Sequence, residues 1–171
     1  MDIEEVIAQH GDYLLKVAYL YVKNEATAED IVQDVFIAFY QKQGQYRQES
    51  SLRTYLVKMT VNRSHDYLRS WKSKRLTLFE KITGKMTNHT PEKEMLIKST
   101  KRELIEALFT LSVQYREVLI LYYFEDMTTV EIAQLVRCPE ATVRTRLQRA
   151  RKQLAVIIGD YDWEVLRHES I

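Results

Sequence analysis

The chain has 171 residues and a formal net charge of +1, enough for one domain or two small ones. With 46% hydrophobic residues and only 4 Gly and 2 Pro, it can bury a core but suits neither a turn-rich sheet fold nor a disordered chain. The longest apolar run, Val118 to Phe124, is too short to span a membrane, the acidic start Met1-Asp2-Ile3-Glu4-Glu5 does not suit a signal peptide, and Cys138 has no partner for a disulfide. An all-α, cytoplasmic protein without membrane insertion is the expectation.

A first helix is predicted from about Asp2 to Val22, burying Val6, Leu14, Val17, Ala18 and Tyr21. Thr27-Ala28-Glu29-Asp30 reads as a capping box for the second. There Ile31, Val32, Val35, Phe36, Phe39 and Tyr40 form an apolar stripe, with Glu29, Asp30, Gln33 and Asp34 on the other side. Gly44 and a polar loop, Tyr46 to Ser50, end it. A third helix is predicted from Ser51 to about Lys74, burying Leu52, Tyr55, Leu56, Met59 and Leu68.

The charge is sorted along the chain. Residues 1–40 hold 8 acidic and 2 basic side chains, whereas residues 41–75 hold 2 acidic and 9 basic. Residues 140–154 are again basic, with 5 basic and 1 acidic side chain. Two basic stretches suggest two contacts with a polyanion, and the acidic first forty residues suit another partner. In the third helix, basic groups interleave with Tyr67 and Trp71, the combination that holds phosphates while stacking unpaired bases.

Residues 76–91 lose the periodicity, and helical spacing resumes from Met95 through Leu104, Ile105, Leu108 and Leu111. An apolar helix from Tyr115 to Phe124 precedes a turn at Glu125-Asp126-Met127. Thr128-Thr129-Val130-Glu131 is a second capping box, opening a short helix that buries Ile132, Ala133, Leu135 and Val136. Arg137-Cys138-Pro139 breaks the chain. A last helix, Glu140 to about Ile157, places Val143, Leu147, Ala150 and Leu154 on one face and leaves Thr142, Arg144, Thr145, Gln148 and Arg149 exposed. A short helix, a tight turn and a basic second helix describe a helix-turn-helix. Arg suits guanine, Gln suits adenine, and Thr suits a phosphate or a thymine methyl.

Catalysis is not expected. His10, His65, His89 and His168 are scattered with no ligand spacing to Cys138, so neither a metal nor another cofactor is predicted. No phosphate-binding Gly loop or nucleophile motif is present. Asp30 and Asp34 are close, but without a third ligand they suit a partner-binding face, and Cys138 suits a small buried residue.

The stretch from Ala28 through Phe36, with Glu29-Asp30-Ile31-Val32-Gln33-Asp34, resembles region 2 of bacterial sigma-70 family sigma factors. Tyr115-Arg116-Glu117, Tyr123-Phe124-Glu125-Asp126, Glu131-Ile132-Ala133 and Thr142-Val143-Arg144-Thr145-Arg146-Leu147 resemble region 4. Having just these two regions is similar to the extracytoplasmic-function (ECF) group.

The resemblance implies two small helical domains: residues 1–75 as region 2 and 99–156 as region 4. A flexible linker (76–98) would join them, and 157–171 would form a tail. It implies core RNA polymerase and promoter DNA as partners, and a membrane-bound anti-sigma factor is a further candidate. Glu29, Asp30, Gln33 and Asp34 would bind polymerase. Arg53, Tyr55, Lys58, Asn62, Tyr67, Arg69 and Trp71 would open and hold the −10 element, with Asn62 matching a family asparagine that accepts a flipped base. Thr142, Arg144, Thr145, Gln148 and Arg149 would read the −35 element. The chain departs from the family at Leu52 and Tyr55, where Phe and Trp are common, at Thr60 for Ala, and at Ala141 for Gly. The other readings are a helix-turn-helix regulator acting without polymerase, which leaves the basic-aromatic helix unexplained, and a helical adaptor, which leaves both basic stretches unexplained.

Overall fold

The computed structural model describes residues 2–42, 46, 50–79 and 99–159. It divides into two compact units, Met1–Glu94 and Met95–Ile171. Among the described residues there are α-helices and no strand. All but the first three residues of the sequence-predicted tail and all but the first four of the linker, together with Gly44, His89 and His168, lie outside the described residues.

In the first unit, α1 (Ile3–Val22) starts at Asp2, whose side chain accepts the Glu4 N–H at 3.0 Å. It ends at Lys23, which takes a left-handed conformation at φ 55° and donates its N–H to the Tyr19 carbonyl. This reversal places Asn24 at the start of α2 (Glu25–Gln41), three residues earlier than the predicted capping residue Thr27. Asn24 Oδ1 accepts both the Thr27 N–H and the Thr27 hydroxyl at 2.9 Å. Thr27 is thus the third helical residue, where its hydroxyl donates to the cap and does not itself cap.

Five members of the predicted α2 stripe are buried, but Tyr40 is 63% exposed. The last turn of α2 carries it past the edge of the core. In α3 (Leu52–Phe79) the Ser51 Oγ accepts the Thr54 N–H at 3.1 Å. The helix runs beyond Lys74 because no Gly or Pro interrupts it before Gly84.

The buried side of α3 is also rotated from the predicted one. Leu56, Val57, Thr60, Val61 and Ser64 are buried, while Leu52, Tyr55, Met59 and Leu68 are half-buried. Small and β-branched residues allow α3 to close on both α1 and α2. The two buried hydroxyls are satisfied one turn back: Thr60 donates to the Leu56 carbonyl at 2.9 Å and Ser64 to the Thr60 carbonyl at 2.8 Å. Counting only large apolar residues therefore misjudges this face.

In the second unit, α4 (Ser99–Thr110) buries Leu104, Ala107 and Leu108, and Leu111 follows it into the core. α5 (Val113–Leu119) begins before Tyr115 and widens into a π-helical turn, Ile120–Phe124, with Ile120, Leu121 and Tyr123 buried. Next, α6 (Thr129–Val136) begins at the predicted capping box. The Thr128 Oγ1 accepts the Glu131 N–H at 3.2 Å, and Glu131 Oε2 accepts the Thr128 N–H at 2.8 Å. Ile132 and Ala133 are buried, but Leu135 and Val136 are only half-buried, since a two-turn helix shields one narrow side.

Arg137, left-handed at φ 56°, ends α6 by donating its N–H to the Ala133 carbonyl. Cys138 in the turn is half-buried, not buried, because the turn lies at the surface. α7 (Glu140–Ile158) buries Val143, Leu147, Ala150 and Leu154, the four predicted, against α4, α5 and α6.

Candidate nucleic-acid interface

The face of α2 opposite its core stripe carries Glu29, Asp30, Gln33 and Asp34, all exposed. Glu29 and Gln33, and Asp30 and Asp34, are each four residues apart, so the structure brings all four predicted residues onto one side of the helix. Ile37 and Tyr40, both exposed, continue that side toward the helix C-terminus, which composition alone does not flag.

The seven residues predicted on α3 are divided. Tyr55, Lys58, Asn62 and Arg69 share one side of the helix, the first two half-buried and the last two exposed. Asn62 is exposed, and exposed Arg69 is ion-paired with Asp66. Arg53, Tyr67 and Trp71 lie on the opposite side, in line with the buried strip. Arg53 is turned into the first unit, with its guanidinium carbon 3.9 Å above the Tyr13 ring. Trp71 is 49% exposed.

Tyr55 is half-buried within an aromatic group, its ring 6.3 Å from Phe39 and 5.1 Å from Tyr46. Tyr46 lies in the polar loop predicted before α3, which the resemblance assigns with that helix to the −10 element. Its hydroxyl donates to the Ser50 carbonyl at 2.6 Å, securing the approach to α3. Elsewhere in this unit, His10 sits below its ordinary pKa of 6.5, chiefly through burial and secondarily through the charge of Arg53.

On α7 the structure brings Arg144, Thr145, Gln148 and Arg149 together on the exposed side, opposite the buried row. Thr142 stands at the margin and is half-buried. The Thr145 hydroxyl donates to the Ala141 carbonyl at 2.9 Å. The basic charge of this helix is not all outward. Arg146, 19% exposed, approaches the buried Glu117 of α5 at 3.8 Å, and Arg151 lies over the Tyr122 and Tyr123 rings at 5.7 and 5.4 Å. Those two arginines fix α7 on the unit, leaving Arg144, Arg149 and Lys152 facing solvent.

Glu140 and Thr129 were not singled out from sequence, yet they hold Arg144. Glu140 Oε1 accepts from the Thr129 hydroxyl at 2.6 Å and from Arg144 Nη2 at 2.7 Å. These hydrogen bonds, that from Thr129 foremost, hold the Glu140 carboxyl below its ordinary range. The four-residue spacing of Glu140 and Arg144 was a legible signal; the contribution of Thr129 from another helix was not.

Among the described residues no three His, Cys, Asp or Glu side chains converge as a metal-ligand group. No helix among them is long and apolar enough to cross a membrane.

Residues 6–74 match the family model for Sigma-70 region 2, and residues 101–154 match that for Sigma-70, region 4. The chain is 31% identical over 156 residues to the RNA polymerase sigma factor SigV of Bacillus subtilis (strain 168), spanning 91% of this chain and 90% of that protein. It is 24% identical over 167 residues to the ECF RNA polymerase sigma factor SigW of the same organism, spanning 91% and 88%. The fold is similar to that of the sigma factor RpoE in co-crystals with the anti-sigma factor NepR from Bartonella quintana, with a TM-score of 0.67 at 21% identity over 91% of this chain and 95% of that one. It is also similar to CnrH in complex with the cytosolic domain of CnrY, with a TM-score of 0.57 at 22% identity over 91% and 86%. With region 2 and region 4 both present and a relative matched over nearly its whole length, the chain belongs to the sigma-70 family of RNA polymerase sigma factors, in its ECF group.

Proposed function

We propose that this sigma factor acts in the cytoplasm by binding alone, without catalysis, bringing core RNA polymerase to promoters and assisting strand opening. In this reading residues 1–75 form the polymerase and −10 module, 99–156 form the −35 module, 76–98 link them, and 157–171 are a tail. Glu29, Asp30, Gln33 and Asp34 dock on polymerase. Tyr55, Lys58, Asn62 and Arg69 of α3 hold unpaired −10 bases, with Arg53, Tyr67 and Trp71 on the flank. Thr142, Arg144, Thr145, Gln148 and Arg149 of α7 read the −35 duplex. An anti-sigma factor is a further partner, since both RpoE and CnrH are named in complexes, the former with an anti-sigma factor.

The observation that carries the reading is the pairing of an acidic, exposed α2 face with a separate basic, exposed α7 face in one chain. A polyanion is repelled by the first and attracted by the second, so two different partners are required. Co-purification of the full chain with core RNA polymerase, followed by run-off transcription on a genomic library, tests this. Binding and promoter-specific transcripts are expected. DNA binding with no affinity for core enzyme would instead support a regulator acting without polymerase. Reversing Asp30 and Asp34 to Lys replaces attraction by repulsion and should weaken core association, with folding retained because both side chains are exposed. Unchanged affinity in a pull-down titration would refute the α2 assignment.

A further inference from the structure

Glu140 opens α7 and collects three hydrogen bonds on a single oxygen. Its Oε1 accepts from the Thr129 hydroxyl at 2.6 Å, Arg144 Nη2 at 2.7 Å and Arg144 Nε at 3.0 Å. The Arg144 side chain is 70% exposed and that of Glu140 is 35% exposed. An exposed ion pair within one helix ordinarily does little, because both side chains are free to swing. Here the carboxylate is tied to a second helix through Thr129, so its direction is set by the angle between α6 and α7. The same contacts that lower the Glu140 pKa keep the group ionised, able to accept from all three donors.

A guanidinium has five N–H donors in a planar fork. With Nε–H and one Nη2 hydrogen directed at Glu140, the end of the fork is left, with one forward N–H on each of Nη1 and Nη2. Those two parallel donors match guanine O6 and N7 in the major groove. We propose that Glu140, itself fixed by Thr129, is a positioning residue for −35 recognition that orders Arg144 so its end-on pair of N–H groups meets a guanine. The inference rests on α7 being the recognition helix, as proposed above. It also carries a cost that makes it recognisable: Glu140 adds a negative charge near a polyanion, so it improves discrimination at the expense of affinity for every sequence.

The test uses holoenzymes assembled from core RNA polymerase and the full-length wild-type, Arg144→Ala, Glu140→Gln and Thr129→Val chains. Binding is measured at fixed salt over a library of promoter duplexes randomised across the −35 element. The wild type should prefer guanine at one position, and Arg144→Ala should lower that preference by about 5- to 100-fold. Glu140→Gln should lower it at the same position by about 3- to 10-fold, the scale of re-ordering a freed long side chain. Its binding to duplexes lacking that guanine should hold or tighten, because a repulsive charge is gone. Thr129→Val should give a smaller loss at the same position without that gain, and it carries the test should Glu140→Gln unfold.

Glu140→Gln or Thr129→Val weakening all sequences alike would mean a merely structural role and overturn the proposal. Full retention of the guanine preference in both variants, while Arg144→Ala loses it, would overturn the positioning role and leave the recognition helix standing. Arg144→Ala with every preference intact would remove the recognition-helix reading, and the role of Glu140 with it.

Discussion

Arg53 was placed from sequence among the −10 contacts, yet its guanidinium lies over Tyr13 and its charge acts on His10. A cation on an aromatic face contributes about 0.5–1 kcal/mol at such a site. Arg53 is therefore part of what holds α3 to α1. His10 reports on it. Burial and Arg53 keep its folded-state pKa below 6.5, so in the folded chain the neutral imidazole is favoured. Below pH 6.5 the unfolded chain takes up a proton that the folded chain resists. Stability from this group is thus full above pH 6.5 and falls as the pH drops toward the folded-state pKa. Arg53→Gln should raise the His10 pKa toward 6.5 without reaching it, since burial is the larger cause. An NMR titration of the His10 ring protons checks this, and an unmoved pKa would reject the coupling. In the core, Leu14 is fully buried, and Leu14→Ala should cost about 2–5 kcal/mol in urea unfolding followed within α1–α3.

The helices owe their limits to short polar contacts and to backbone that side-chain chemistry does not advertise. With only 4 Gly in the chain, the ends of α1 and α6 are made by Lys23 and Arg137 in left-handed conformations. A non-glycine residue there carries about 1–2 kcal/mol of strain. Arg137→Gly should relieve part of it, offset by the greater freedom of unfolded glycine, and leave stability equal or up to about 1 kcal/mol higher. Thr128→Ala should act in the opposite direction, removing the capping box at a cost of about 1 kcal/mol. Hydrogen exchange should show α6 amides losing protection while those of α1–α3 keep theirs. In α7, five basic residues serve two purposes. Arg146 and Arg151 turn toward Glu117 and the Tyr122–Tyr123 rings, and Arg144, Arg149 and Lys152 stay exposed, where the proposed reading gives the two arginines a place on DNA.

At the scale of the whole molecule, the chain holds two units, and in the proposed reading their exposed faces meet different forms of one promoter. The α3 side bearing Tyr55, Lys58, Asn62 and Arg69 combines charge, an amide and a ring edge, suited to bases out of their stack. The α7 side carries side chains suited to a closed major groove. In holoenzyme with the full chain, Asn62→Ala should reduce permanganate reactivity of −10 thymines while protection at the −35 element persists. Arg149→Ala should do the reverse, weakening −35 protection by about 1–3 kcal/mol if it reads a base. Equal loss at both elements from either change would reject this division of labour.

The all-helical fold, the helix-turn-helix and the acidic α2 face follow from sequence alone, because helical periodicity fixes which residues share a side. Val143, Leu147, Ala150 and Leu154 illustrate it: their spacing names the buried row of α7, and with it the exposed one. The capping box at Thr128 is equally local, resting on contacts three residues apart. Three features could not be read this way. The α3 core strip includes Thr60 and Ser64, whose hydroxyls are acceptable inside only because carbonyls one turn back receive them. The division of Arg53 from Asn62 depends on where α1 and α2 lie against α3. The hold on Arg144 needs Thr129 from a different helix, eleven residues before Glu140. The last two are contacts between elements, and the first depends on which side of α3 its neighbours cover; a linear pattern of residue types carries no distance between one helix and the next.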